Sequence, residues 1–382
     1  MLNIVFVITN LSTGGAETML YKLLKHIDRT RFNPTVISLV GFGEIGPLIR
    51  ALDLPVFVLG ANPKIPNPII IFRLYYLIRS LNPDIVHTWM YHADFLGGLT
   101  ARLAGCQRIV WGIRHSNLSL SKNKFSTLLV VKLCSFLSHQ IPCRILSCSE
   151  FAKDIHISTG YVANKFHVIP NGFELDQFFP DPSSSLGLRA ELGLSPQTIL
   201  VGLIARFDPQ KNHLGFIKAA ALVNSKLPDI HFVLAGHRVD PFNNELMTAI
   251  AAYDLQDHMH LLGRRKDVPF LMASLDVLAS SSHGEAFSNV LGEAMSCGVP
   301  CVVTDVGDSA EIVGNTGRVV PAGDMVSLGL ALVELLSLPS AEKSALGLQA
   351  RSRVKAHYEI CHVAGLYESF YEQVFVNPCA VS

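Results

Sequence analysis

Short apolar runs alternate with amphipathic stretches along nearly the whole chain. The run Ile4 to Ile8 is apolar throughout, as a strand buried on both faces must be. After the loop Thr9 to Gly15, the segment Glu17 to His26 repeats its apolar residues at helical spacing. Further strands are expected at Thr35 to Leu39, Pro55 to Val58, Ile85 to His87, Arg108 to Gly112, Arg144 to Ser147 and His167 to Ile169. Pro170-Asn171-Gly172 then signals a turn, and the polar stretch Asp181 to Ser185 reads as a linker. The pattern restarts with the strand Ile199 to Ile204 and the helix His213 to Lys226. Strands at Ile230 to Leu234, Met259 to Leu262, Val277 to Ala279, Pro300 to Thr304 and Arg318 to Val320 follow. Strands alternating with helices call for parallel sheets covered by helices, an α/β fold. Two doubly wound domains joined near residue 180 are expected, with ligand in the cleft between the carboxyl ends of their sheets.

Composition narrows the class. The 382 residues suffice for two cores, and a formal net charge of zero gives no overall field for holding nucleic acid. Apolar residues make up 49% and charged residues 16%, so a membrane relationship is open. No run approaches the roughly 20 apolar residues needed to span a bilayer, and residues 2 to 8 lack the flanks of a signal peptide. The expectation is a cytoplasmic protein. Eight cysteines show no C-x-x-C pair. Cys143 with Cys148 and Cys297 with Cys301 lie in apolar surroundings that suit reduced core thiols. His87 and His92 are five apart with no third ligand placed by spacing, so no metal site is expected.

Four places could carry chemistry. In Gly284-Glu285-Ala286-Phe287-Ser288-Asn289-Val290-Leu291-Gly292-Glu293, helix signals begin near Phe287, which puts Glu285 at or just before the first turn. Amides at a helix start bind anions such as a diphosphate, and Glu293, two turns further in, can accept hydrogen bonds from vicinal ribose hydroxyls. An isolated pair of this kind would more often be a solvated Glu at a helix start and a surface Glu. The loop Thr13-Gly14-Gly15-Ala16-Glu17 joins a strand to a helix; its glycines either let a ligand approach or simply serve a tight turn. Arg206 and Lys211 follow the strand Ile199 to Ile204, where two cations would neutralise a departing diphosphate. His115 follows another strand, with a side chain suited to proton traffic or to orienting a sugar hydroxyl. The segment Ser119 to Leu137 mixes Lys122, Lys124 and Lys132 with apolar residues, as either an interfacial helix or a buried helix with snorkelling lysines does.

Taken in order, these residues resemble glycosyltransferase family 4, the retaining sugar-nucleotide transferases of the GT-B fold. The marks are Gly14-Gly15-Ala16-Glu17, His115, Val168-Ile169-Pro170-Asn171-Gly172-Phe173, Arg206 with Lys211, and the two-glutamate motif running into Glu293-Ala294-Met295-Ser296-Cys297-Gly298-Val299-Pro300. The two-glutamate motif and Val303-Thr304-Asp305-Val306-Gly307-Asp308 look most like bacterial transferases that build exopolysaccharide, capsule or O-antigen. The resemblance implies two Rossmann-like domains, 1–178 on the acceptor side and 179–356 binding the donor nucleotide. It also implies a C-terminal helix, His357 to Phe375 within the segment 357–382, that crosses back to the first domain, and Val363, Leu366, Tyr367, Phe370 and Val374 suggest its packing face.

It further implies that Arg206 and Lys211 hold the donor diphosphate, Glu293 the ribose and Glu285 the donor sugar. Amides of Phe287, Ser288, Asn289 and Val290 would hold sugar and phosphate oxygens. Gly14 and Gly15 would approach the diphosphate, and His115 would contact the transferred sugar. Ala286 and Ser288 stand where many relatives carry glycine, which bears on the sugar pocket. The implied reaction moves a hexose or N-acetylhexosamine from a nucleoside diphosphate sugar, a UDP-sugar foremost, to a glycan or polyprenyl-linked acceptor at the inner membrane face. The departing diphosphate would help to deprotonate the acceptor, with no metal or other cofactor and anomeric configuration retained. Rival readings are an epimerase or phosphorylase on the same fold, or a silent binding or scaffold partner.

Overall fold

The computed structural model describes residues 1–62, 67–116, 118 and 125–377. The chain divides into two units, Met1–Gly172 with Ile360–Ser382, and Phe173–Glu359. These divisions fall at 172/173 and 359/360, against the 178/179 and 356/357 read from the sequence.

The first unit is built on strands β1 (Leu2–Ile8), β2 (Phe32–Ser38), β3 (Val56–Val58), β4 (Ile85–Trp89), β5 (Ile109–Ile113), β6 (Arg144–Ser147) and β7 (Phe166–Val168). All pairs are parallel, in the order β3-β2-β1-β4-β5-β6-β7. The central β1 is buried from Ile4 onward, which is why it reads as an unbroken apolar run. Its helices are α1 (Gly15–His26), α2 (Ile45–Arg50), α3 (Pro68–Leu81), α4 (Tyr91–Leu103), α5 (Phe125–Leu137) and α6 (Glu150–Ser158). The strand order reverses between β1 and β4. Right-handed crossovers therefore put α1 and α2 on one face of the sheet and α3, α4 and α5 on the other. The packing agrees, with α1 on α2 and α4 between α3 and α5.

The second unit has helix α7 (Pro182–Glu191), strand β8 (Ile199–Ile204), α8 (His213–Lys226), β9 (Ile230–Ala235), α9 (Asn244–Ala252), β10 (Met259–Leu261) and α10 (Val268–Ala273). It continues through β11 (Val277–Ser280), α11 (Asn289–Ser296), β12 (Cys301–Thr304), α12 (Ser309–Val313), β13 (Arg318–Val320), α13 (Met325–Leu336) and α14 (Ser340–His357). Its parallel sheet runs β10-β9-β8-β11-β12-β13. The final helix, α15 (Ile360–Val376), returns to the first unit.

Three expectations are corrected. Asp181 to Ser185 is a helix start rather than a linker. The Asp181 carboxylate accepts from the Ser183 amide at 3.0 Å and Pro182 sits at the first helical position, so polar residues here are capping chemistry. The C-terminal helix does not run unbroken from His357, because α14 ends there and α15 begins at Ile360. Its buried face is Ile360, Val363, Ala364, Tyr367, Phe370, Tyr371 and Val374, which leaves Leu366 partly exposed beside the stripe. No single helix among the described residues is long and apolar enough to cross a membrane.

Candidate functional site

In the second unit three loops meet at the carboxyl ends of β8, β11 and β12. After β8 the chain turns through Asp208 to Asn212, and Asn212 takes a left-handed conformation (φ 53°) while its side chain caps α8 by accepting from the Gly215 amide at 3.1 Å. The loop after β11 is stitched to this turn. The Ser281 hydroxyl lies 3.0 Å from the carbonyls of both Lys211 and Asn212, and the His283 amide donates to Gln210 O at 2.7 Å. The Gln210 side-chain amide donates to the carbonyl of Gly284. The third loop closes over the second. Gly307 has φ 57°, and a Cβ there would stand 2.4 Å from the Glu285 carbonyl; the next amide, of Asp308, donates to Ala286 O at 3.2 Å. Only glycine fits so close a crossing.

This frame joins Lys211 and Glu285 in an ion pair whose side chains are 18% and 10% exposed. The Ser282 hydroxyl also donates to Glu285, at 2.8 Å, and Thr304 donates to the Ser282 carbonyl at 2.7 Å. Glu285 and Lys211 line a small recess with Ile204, Ala205, Ser282 and Val290. Removing either charge would leave the other partly buried without its partner, a costly state. Glu285 lies in the loop just before α11, and the helix starts at Asn289, two positions later than the Phe287 expected from the sequence. Ser288 takes the capping position without capping, and its buried hydroxyl has no partner; the same holds for the buried hydroxyl of Ser309 at the start of α12. Buried hydroxyls without a protein partner are costly unless a water or a ligand satisfies them. Glu293 stands half-buried in the second turn of α11. Phe287 is buried between the rings of Phe173 and Tyr358, at centroid distances of 6.2 Å and 5.9 Å.

Arg206 is not part of this cluster. It is exposed and contacts Asp208 at 3.3 Å. Burial alone would raise the Asp208 carboxyl, but the Gln210 amide and the Arg206 guanidinium outweigh it and hold its pKa below the usual value. Behind the loops His213 is buried, with Nε2 donating to Ala205 O at 3.2 Å, and burial pushes its pKa down to about 4. It is therefore neutral at pH 7.

The first unit carries the other expected residues. Gly14 is extended and caps α1, and a Cβ on it would collide with the Glu17 carboxylate at 2.3 Å. Burial raises the Glu17 pKa, partly offset by its own amide. Gly15 opens the helix and is exposed. His115 lies just past β5 and is half-exposed, with its carbonyl 3.2 Å from the Tyr91 hydroxyl. Tyr91 in turn reaches His156 Nε2 at 2.9 Å, while His156 Nδ1 donates to Ala152 O at 2.6 Å. The neighbouring Arg114 guanidinium sits 3.9 Å above the Trp89 ring, donates to Asn171 at 3.1 Å and donates to the Tyr367 hydroxyl. A mostly apolar cavity of about 440 Å³ opens by the carboxyl ends of β1 and β2, lined by residues including Leu39, Val40, Ile70, Ile71, His92 and Leu96. Among the described residues no group of three or more His, Cys, Asp or Glu side chains is placed to hold a metal ion. Cys143, Cys148, Cys297 and Cys301 are all buried.

The sequence reading missed Gln210, Ser282, Ser309 and the Arg114 cluster. Serines are common loop residues, and no periodicity marks one that turns inward.

Residues 13–177 match the profile described as Glycosyltransferase Family 4, and residues 198–338 match Glycosyl transferases group 1. The chain is 31% identical over 276 residues, 69% of each chain, to the Escherichia coli UDP-Gal:alpha-D-GlcNAc-diphosphoundecaprenol alpha-1,3-galactosyltransferase. The chain is a family 4 glycosyltransferase. This transferase is also 28% identical to the Rhizobium meliloti lipopolysaccharide core biosynthesis mannosyltransferase LpsB, over 88% of its own length and 93% of LpsB. Its architecture superposes on Anabaena Alr3699/HepE, solved in complex with UDP and glucose, with a TM-score of 0.84 at 22% identity, covering 98% of this chain and 100% of that one. The fold is GT-B.

Proposed function

We propose that this glycosyltransferase moves a hexose or N-acetylhexosamine from a UDP-sugar, with retention, to a glycan or polyprenyl-linked acceptor in bacterial surface polysaccharide biosynthesis, working at the inner face of the membrane. The observation that carries the donor assignment is the pairing of Lys211 with Glu285 on the loops that also hold the orphaned hydroxyls of Ser288 and Ser309. A UDP-sugar supplies the oxygens these groups call for. Lys211 meets the diphosphate, and the exposed Arg206 reaches it from the same loop by leaving Asp208; the Ser288 and Ser309 hydroxyls and the first amides of α11 hold phosphate and sugar oxygens, Glu285 takes a sugar hydroxyl and Glu293 takes the ribose. The E. coli relative is named for a UDP-Gal donor and HepE was solved with UDP and glucose, which supports the uridine base. The same relative is named for a diphosphoundecaprenol acceptor, which supports a lipid-linked acceptor. The apolar cavity of the first unit suits the less polar part of such an acceptor.

In the reaction the bond from the anomeric carbon to the diphosphate oxygen breaks and a bond to the acceptor oxygen forms on the same face. The acceptor proton passes to the departing phosphate. The cations and helix amides stabilise the charge that develops there, a role that asks for no divalent metal.

The decisive experiment is a thermal-shift titration with UDP-, GDP- and ADP-sugars in EDTA, with Lys211→Ala as control. A UDP-sugar at 100 times its Kd should stabilise the protein by about 2.7 kcal/mol, and the variant should lose the effect. No shift with any donor in either EDTA or magnesium would overturn the assignment, and a shift seen in magnesium but not in EDTA would overturn the metal-free part.

A further inference from the structure

The charge of this chain is unevenly shared. Residues 1–172 with 360–382 hold 17 Lys and Arg against 10 Asp and Glu, whereas residues 173–359 hold 14 against 21. Within the basic unit, two long stretches contain no carboxylate at all, residues 54–83 and 95–149. The first contains α3 and the second contains α5. These helices flank α4 on one face of the sheet, so the side of each turned away from α4 and the sheet is an outer surface.

That surface is apolar where a solvated helix should be polar. On α3, Ile69, Phe72, Arg73 and Tyr76 share one stripe (i, i+3, i+4, i+7), with Phe72 62% and Tyr76 68% exposed. On α5, Phe125, Leu129 and Phe136 share another, with Phe125 76% and Phe136 71% exposed. The reading of α5 as a buried helix with snorkelling lysines is therefore corrected; Lys122 and Lys124 lie outside the described residues. Single exposed apolar residues are ordinary, but two stripes on the helices flanking one neighbour are not. Every ionisable side chain of Lys, Arg, Asp or Glu type on α3 and α5 is a cation, namely Arg73, Arg79 and Lys132, and all three are exposed. Exposed aromatic and aliphatic side chains on helices whose own charges are all cationic match an interface of acyl chains under anionic headgroups. A second copy of this surface would instead bring like charges together.

We propose that the outer faces of α3 and α5 form a docking surface for an anionic lipid bilayer. The surface gives a lipid-linked acceptor its route to the enzyme, and in that purpose it rests on the function proposed above. The first turn of α3 also lines the apolar cavity, through Ile70 and Ile71, so the docked helix leads from the lipid face towards that cavity.

Flotation of the full chain with vesicles tests this, comparing phosphatidylglycerol with phosphatidylcholine against phosphatidylcholine alone. The protein should float with the anionic vesicles and about tenfold less with the neutral ones. The paired changes Phe72→Ser with Tyr76→Ser, and Phe125→Ser with Phe136→Ser, should each cut partitioning about tenfold. Arg73→Glu with Lys132→Glu should cut it about fivefold per cation removed. Each variant is checked for an unchanged melting temperature and for stabilisation by the UDP-sugar. Lost flotation with donor binding intact supports the surface. Equal flotation on both vesicles, flotation untouched by the variants, or a dimer in sedimentation that the same variants dissociate would overturn it. Failure of the donor titration with flotation intact would overturn the transferase site alone.

Discussion

The ammonium of Lys211 carries three donor hydrogens, and Glu285 takes only part of that capacity, so one cation can position a carboxylate and meet a phosphate. Glu293 stands on α11, and in the proposed role of holding the donor ribose its contribution should appear in binding. We expect Glu293→Ala to raise the donor KM about tenfold with little change in kcat, and His115→Ala to lower kcat about tenfold with little change in KM, both read from initial rates. Equal effects on both constants in either variant would undercut the separation of roles. Two other histidines speak to stability. His156 and His213 are buried and their pKa values are pushed down from 6.5 to about 4 by loss of solvent. A histidine whose folded pKa is depressed binds its proton in the unfolded chain first, so stability is full above about pH 6.5 and falls as pH drops towards 4. Urea denaturation should show about 2 kcal/mol lost per histidine between pH 7 and pH 5, and His213→Gln should remove its share of that slope.

Strands β8, β11 and β12 deliver three loops to one place, and the bonds between those loops hold Lys211 against Glu285. Gly307 is the tightest point of that assembly. Gly307→Ala would put a methyl group against the Glu285 carbonyl and force an unfavourable positive φ on a residue with a Cβ. The variant should lose about 1–3 kcal/mol by denaturant titration and should lose donor stabilisation as well, because the displaced segment carries Glu285. A variant that is destabilised but binds donor normally would show that the crossing serves folding only. In the first unit, α15 makes a comparable frame. Tyr367 accepts from Arg114, the Tyr371 hydroxyl lies 2.8 Å from His87 Nδ1, and Arg114 also holds Asn171, so the last helix is pinned to β4, to the end of β5 and to the turn before residue 173.

A chain with zero formal charge has a basic unit and an acidic one, and the division follows the two sheets. The imbalance is a matter of partners rather than of fold. Anionic headgroups favour the unit that carries the apolar cavity and the exposed stripes of α3 and α5. Raised ionic strength should therefore weaken lipid binding, because headgroup attraction falls off within a Debye length, about 8 Å at physiological salt. Donor binding at the site proposed around the partly buried Lys211 and Glu285 should be less affected.

The alternation of apolar runs with amphipathic segments was enough to place the strands, because a parallel sheet covered on both faces needs continuous apolar stretches and leaves that signature in local sequence. Strand ends and helix starts announce themselves in the same local way, so the loops that carry Lys211 and Glu285 were readable, whereas Arg206, read beside them, stands exposed outside their cluster. Local signals also misled. Asp181 to Ser185 is as polar as a linker, yet Asp181 and Pro182 start a helix, and capping residues and loop residues are the same amino acids. What local pattern could not contain was everything that depends on distance in the chain. Lys211 meets Glu285 across 74 positions, Arg114 meets Tyr367 across 253, and Gly307 is needed only because another loop passes beside it. The outward face of α5 belongs to the same class. Its residues are apolar enough for a core helix, and only the tertiary structure, by packing one side of it on α4, decided which apolar side chains face the solvent.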